Sequence, residues 1–239
     1  MNKNNMKMAA LLVTFAACFA IFSSCKKDNP DPEPDPLVYV ENGQNYGKGI
    51  AIGNLVWAPV NCGYDADHLF GKLYQWGRKD GQGYDGEPSE PTIEEGAPAS
   101  LGDAKADTFY KGWPTYDKGL WGPSGSGNPC PAGWRVPTYS ELEVLEDLAK
   151  AKGEWVIEKG IQCYKIPVGD VSLFIPSAGY RDIQGKAVKR QQKSASLWSC
   201  SHIESGNPYS NLYLDNTTVS IDYDVQSLGL SVRCVKTLE

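Results

Sequence analysis

Hydrophobic positions along the 239-residue chain recur in two registers, and each predicts a different element. Leu142, Leu145, Leu148 and Ala149 fall at helical spacing behind Thr138 and Glu141. That T-x-x-E separation lets a hydroxyl and a carboxylate satisfy the first free amides of a helix. Pro137 stops the strand before it, so the pattern predicts one clear helix over about 140–152 with one buried face. Elsewhere short alternating segments dominate, and 38–40, 50–60, 69–76, 155–167, 171–175, 210–214, 218–223 and 228–235 are expected as strands. Gly160 within one segment, and Gly169-Asp170 before Val171, supply hairpin turns. A short second helix is expected near residues 65–73. The class is α+β with mostly antiparallel short strands.

Residues 77–129 break this regularity. They carry eleven of the 25 glycines and almost no periodic apolar positions, which predicts a long irregular loop region. Tyr110, Trp113, Tyr116 and Trp121 lie close together within it, and such a density of large aromatics predicts order rather than a disordered linker.

The N-terminus reads differently again. Lys3 and Lys7 precede an apolar run over 8–22, followed by Ser23-Ser24-Cys25. The run is short for a membrane span. Small residues directly before a cysteine suit a lipoprotein signal peptide over 1–24, with Cys25 as the lipidated first residue of the mature chain. An ordinary signal peptide with Cys25 incidental, and an uncleaved anchor, are the alternatives. Residues 25–36 place proline at every second position from 30 to 36 with acids between, and no packed core can form from that composition. They predict an extended tether of about 3 Å per residue, holding the 37–239 domain roughly 30–35 Å from the lipid surface. The expected placement is the bacterial cell envelope, lipid-anchored, with outer-membrane, periplasmic and surface faces all open.

Composition excludes little beyond nucleic acid. The net charge is −6 and grows more negative once Lys3 and Lys7 leave, and no basic run interleaves with aromatics. Lys186, Lys189, Arg190 and Lys193 form the one basic cluster, expected as a solvated hairpin arm. After Cys18 leaves and Cys25 is lipidated, Cys62, Cys130, Cys163, Cys200 and Cys234 remain, an odd number that cannot all pair. Export permits disulfides, and buried reduced thiols are the alternative, above all for Cys163 and Cys200.

Several blocks resemble one family in order: NLVWAPVN at 54–61, LYQWG at 73–77, CPAGWRVPT at 130–138, IPSAGYR at 175–181, LWS at 197–199 and GLSVRCVK at 229–236. They resemble the Fibrobacter succinogenes major paralogous domain, found in secreted and lipid-anchored bacterial proteins. The Arg-Val-Pro-Thr-helix and Ser-Val-Arg-Cys pieces are similar to the formylglycine-generating-enzyme-like branch of C-type lectin-like folds. The resemblance implies a C-type lectin-like α+β domain with loop-heavy connections. It also favours Cys130–Cys234 as a disulfide, since both residues sit in matching blocks, although five cysteines allow many pairings. Fold does not fix chemistry.

The residues offer little catalytic machinery. The active-site thiols of the formylglycine-generating branch have no matching motif. Cys200 with His202 two residues on is the nearest nucleophile pair, set against a structural cysteine beside a loop histidine. His68 and His202 are the only histidines and no C-x-x-C spacing occurs, so zinc and multi-histidine iron sites are not expected. Asp65, Asp67, Asp80, Asp85, Glu87, Glu90, Glu94, Glu95, Asp103 and Asp107 raise calcium as a cofactor, with a solvated acidic loop the preferred reading. Carbohydrate stacking would use Trp113, Tyr116, Trp121 and Tyr110, against the plainer reading that these rings pack the loop. Trp57, Trp76, Trp134 and Trp198 are expected in the core, and Arg135 and Arg233 buried and paired. The expected function is a non-catalytic, lipid-anchored binding or adhesion module for glycan or an envelope protein. A structural or fimbrial accessory role and a formylglycine-generating-like catalyst using Cys200 or Cys163 are the alternatives.

Overall fold

The computed structural model describes residues 35–84, 90–114, 119–122, 125–202 and 209–238. The expected signal peptide, Cys25 and the tether up to residue 34 lie outside them, as do Asp85, Glu87 and Tyr116. Asp35 and Pro36, expected as tether, are already held by the domain. Asp35 pairs with Lys48 at 2.6 Å, and the Pro36 carbonyl accepts from Lys236 Nζ at 3.0 Å.

The chain opens on a hairpin of β1 (Val38–Glu41) and β2 (Gln44–Lys48). Asn42 and Gly43 turn it with φ of 51° and 79°, a left-handed pair that Asn-Gly tolerates best. The segment expected as one strand over 50–60 is instead the hairpin of β3 (Ile50–Ile52) and β4 (Leu55–Trp57), broken where Gly53 takes a φ of 62°. β5 (Leu73–Gln75) follows, then the parallel pair β6 (Thr92–Glu94) and β7 (Thr108–Tyr110), with a single 3-10 turn at Leu101–Asp103 between them.

No helix forms over 65–73. The Asp65 carboxylate accepts from the amides of Asp67 at 2.8 Å and His68 at 2.9 Å, which closes a side-chain-capped turn in place of helical bonds. Gly71 then takes a φ of +75°, and a Cβ there would meet the Cys62 carbonyl oxygen at 2.8 Å.

α1 (Tyr139–Lys152) forms where the pattern placed it. Thr138 caps the Glu141 amide and the Glu141 carboxylate returns to the Thr138 amide at 2.8 Å, so both halves of the capping box are made. Arg135 grips the same carboxylate at 2.7 and 2.6 Å. The helix buries Leu142, Leu145 and Ala149, while Leu148 stays partly covered. Burying a leucine side chain contributes about 1.5–3 kcal/mol. Gly153 caps the helix C-terminus, and Tyr164 packs against it so closely that a Cβ there would lie 2.2 Å from that ring.

After α1 comes an antiparallel meander, β8 (Glu154–Glu158), β9 (Ile161–Val168) and β10 (Val171–Pro176), in the order β10-β9-β8. β11 (Ala195–His202), β12 (Tyr209–Leu214), β13 (Val219–Asp224), β14 (Gly229–Ser231) and β15 (Val235–Thr237) complete the chain. The largest sheet runs β13-β12-β11-β14-β5, antiparallel except where β11 meets β14. β15 joins β4 and β3, so the C-terminal strands pair with N-terminal ones. The architecture is α+β, mostly antiparallel short strands with one α-helix among the described residues. Among those residues no helix is long and apolar enough to cross a membrane.

Two cores result. One is aliphatic, where α1 meets Leu197, Leu212, Leu214, Ile166, Leu173 and Ile175. The other is aromatic and holds Tyr39, Trp76, Trp121, Trp134, Trp198 and Tyr209 together with the Cys130–Cys234 disulfide, whose Cα atoms are 5.8 Å apart.

Candidate functional site

An open cleft of about 1070 Å³ lies beside the aromatic core. Five stretches distant in sequence line it. The β1–β2 hairpin supplies Glu41, Asn42, Gln44 and Tyr46; the capped turn supplies Gly63, Tyr64 and Asp65. The entry to β5 gives Lys72, the long loop region gives Lys79, Asp80, Tyr84 and Asp107, and the disulfide rim gives Asn128 to Ala132.

Hydrogen bonds fix the walls. The Tyr46 phenol donates to the Tyr64 carbonyl at 2.7 Å, and the two rings meet edge to face with centroids 5.3 Å apart. The Tyr84 phenol donates to the Gly63 carbonyl at 2.7 Å and to Asp65 Oδ2 at 3.2 Å. His68 stacks on Tyr84 at 3.6 Å and its Nδ1 lies 2.9 Å from Asp65. Lys72 Nζ sits 5.2 Å over the Tyr84 ring and 3.1 Å from Asp107. At the floor, the Glu41 carboxylate accepts from the Tyr39 phenol at 3.0 Å, the Cys62 thiol at 3.3 Å and the Gly63 amide at 2.8 Å.

These contacts set the electrostatics. Burial pushes the Asp65 carboxyl up, but the bonds from His68 and the Asp67 amide outweigh it and hold it below the usual range. Burial first, then the charges of Glu41 and Asp65, push the Tyr46 phenol up. Burial and the Asp65 charge do the same to Tyr84. The cleft therefore presents the raised Tyr46 and Tyr84 phenols beside the side-chain amides of Asn42, Gln44 and Asn128, carboxylates, and the lysines Lys72 and Lys79.

The aromatic residues expected to stack on a sugar lie elsewhere. Tyr110, Trp113 and Trp121 are 1 %, 2 % and 0 % exposed. The Trp113 indole donates to the Trp76 carbonyl at 2.8 Å and the Trp121 indole to the Arg78 carbonyl at 3.1 Å. Arg78 threads between them, its guanidinium 4.8 Å from the Trp113 ring and 5.3 Å from Tyr110, donating to the Lys105 and Thr108 carbonyls. Their faces pack the 77–129 region onto the domain, which corrects the expectation that they offer a stacking platform. Tyr116 lies outside the described residues. The region still reaches the site through Lys79, Asp80, Tyr84 and Asp107, none of which periodicity could single out.

The cysteines separate clearly. Cys130 and Cys234 are joined; Cys62, Cys163 and Cys200 are free. Burial raises the Cys62 thiol, with the Glu41 charge adding to it, and pushes Cys163 up to about 11. Burial also raises Cys200, and the charges of Arg135 and Glu141 act on it next in opposite senses. None has the lowered thiol a nucleophile needs.

Trp57, Trp76, Trp134 and Trp198 are buried as expected. Arg233 is fully buried, but its partners are the Asn61 side chain and the Ala58 and Phe174 carbonyls, and burial brings it down to about 10. In the basic arm, Lys189 pairs with Asp182, and Arg190 with Asp215 at 2.9 Å. Glu94, Glu95 and Asp107 pair with Lys105, Lys111 and Lys72. Among the described residues no group of three or more His, Cys, Asp or Glu is placed to hold a metal ion.

Comparison with family models, with curated proteins and with solved structures returns no match to this chain.

Proposed function

We propose that the protein is a lipid-anchored cell-envelope binding module that recognises carbohydrate in the tyrosine-lined cleft, without turnover. The observation that carries this reading is the cleft itself. Its volume of about 1070 Å³ suits several sugar rings, and it combines Tyr46, Tyr64 and Tyr84 with Asn42, Gln44, Asn128 and Asp65. Phenol rings cover the apolar faces of pyranoses, while amides and carboxylates bond their hydroxyls. The raised thiols are consistent with binding alone.

The same reading keeps Cys25 as the lipid attachment and the Fibrobacter succinogenes major paralogous domain, with a C-type lectin-like fold, as the family. Mostly antiparallel strands, one capped α-helix among the described residues and the Cys130–Cys234 link support the fold part of this reading. Acyl chains on Cys25 would hold the domain at the membrane.

The test is a glycan array probed with the mature chain carrying Cys25→Ser, beside the same protein with Tyr46→Ala. Binding that Tyr46→Ala removes, in a variant with unchanged thermal unfolding, supports the reading. Silence from a folded wild-type domain, or binding indifferent to Tyr46, counts against it.

A further inference from the structure

Glu41 is 8 % exposed and forms part of the cleft floor. Its three hydrogen-bond donors, Tyr39, Cys62 and the Gly63 amide, are all neutral groups. Among the described residues no Lys, Arg or His lies within 4.0 Å of its carboxylate oxygens. The other cleft acids differ. Asp107 has Lys72 at 3.1 Å and Asp65 has His68 at 2.9 Å. The Tyr84 ring also already carries the Lys72 ammonium, 5.2 Å from its centroid. Lys79 also lines the cleft, yet neither it nor Lys72 comes within 4.0 Å of the Glu41 carboxylate.

A buried acid without a counter-cation is a costly arrangement unless something completes it. Three neutral donors offset part of that cost. The Gly63 amide donates to Glu41, and its carbonyl accepts from the Tyr84 phenol that also reaches Asp65 at 3.2 Å, so the two carboxylates are tied to the same stretch of the cleft wall. An ammonium there would donate charge-assisted bonds to carboxylate oxygens with an aromatic face beside it.

We propose that the ligand of this cleft is an amino sugar bearing a free, protonated amine, seated against Glu41 and Asp65 beside Tyr46. This rests on the carbohydrate reading of the cleft. A sugar whose nitrogen is acetylated carries no charge and leaves the Glu41 carboxylate without its cation.

The experiment is calorimetric titration of the lipidated chain in neutral detergent micelles. The probes are the β-1,4-linked tetramers of glucosamine and of N-acetylglucosamine, titrated at about pH 6, where the free amine is largely protonated. The free amine should bind about tenfold tighter, the ratio one charge-assisted bond supplies. Glu41→Gln should bring the ratio of the two affinities toward one. Because Glu41→Gln also alters the floor bonds, wild-type protein is titrated again at high salt, where a preference set by the buried Glu41 contact should largely persist and one due to diffuse attraction would vanish. Equal affinity for the two tetramers overturns the amine inference and leaves the carbohydrate reading standing. A preference that survives Glu41→Gln reflects diffuse attraction to an acidic protein and overturns it too. Binding of neither tetramer by folded protein removes both.

Discussion

Cys130 and Cys234 stand 104 residues apart in sequence and are bonded to each other, which ties the Pro129–Ala132 rim of the cleft to the approach of the last strand. A cross-link over a segment of that length removes much of the freedom of the unfolded chain. Replacing the pair by alanine should cost roughly 2–5 kcal/mol, read as a lower urea midpoint. An unchanged midpoint would mean the rim is held by its other contacts.

Arg78 should matter more than its place in a glycine-rich loop suggests. It is 3 % exposed and binds the carbonyls of Lys105 and Thr108 while stacking on Tyr110 and Trp113. Arg78→Ala takes the Arg78 donor from the buried Thr108 carbonyl, at a cost of about 1–3 kcal/mol, while the Lys105 carbonyl keeps the Thr108 amide at 3.3 Å. We expect lower thermal stability and faster proteolysis within 90–114. Trp113→Ala should do the same, so any loss of binding in it would report unfolding of the region.

Acid should weaken the domain through identifiable groups. Burial pushes Glu141 up, but Arg135 and the Thr138 amide outweigh it and hold it below the usual carboxylate range. The Thr217 amide leads the bonds that bring Asp215 down to about 2. A carboxyl whose folded pKa is depressed stabilises the fold above its unfolded value, about 3.9–4.3, and that contribution is lost as pH falls through the folded value. The urea midpoint should therefore drop between about pH 4.5 and pH 2. Glu141→Gln should flatten the part of that fall due to Glu141, and Thr138→Ala should remove about 1 kcal/mol of cap stability at neutral pH.

The thiols provide an independent check. Cys62 is 0 % and Cys163 2 % exposed, and burial raises all three free thiols. Native protein at pH 8 should react with a thiol reagent far more slowly than urea-unfolded protein, by about tenfold or more. Rapid labelling of Cys200 in the native state would reopen the nucleophile reading.

The helix was legible because two independent signals agreed at one place: the Thr138–Glu141 cap and the spacing of Leu142, Leu145 and Ala149. β11 was not, although it is central to the largest sheet. Its first five residues, Ala195 to Ser199, are all buried, so the alternation that marks a half-exposed strand is missing. The helix expected over 65–73 lost to a side-chain cap from Asp65, which competes with helical bonds at no cost in apolar pattern. Glu41, Tyr64, Lys72, Tyr84 and Asn128 reach the cleft from separate segments, which strand pairing, side-chain hydrogen bonds and the disulfide bring together only in the folded chain. The tryptophans looked available in sequence because nothing there shows that their indoles find the Trp76 and Arg78 carbonyls.

Hydrogen–deuterium exchange with the strongest glycan from the array tests the central claim most directly, because it reports where ligand sits without altering a residue. Slower exchange confined to amides in 41–47, 63–66, 79–84 and 128–132 is the expected result. Protection centred on 110–121 with the cleft unchanged would contradict the account and return recognition to the buried aromatic loop.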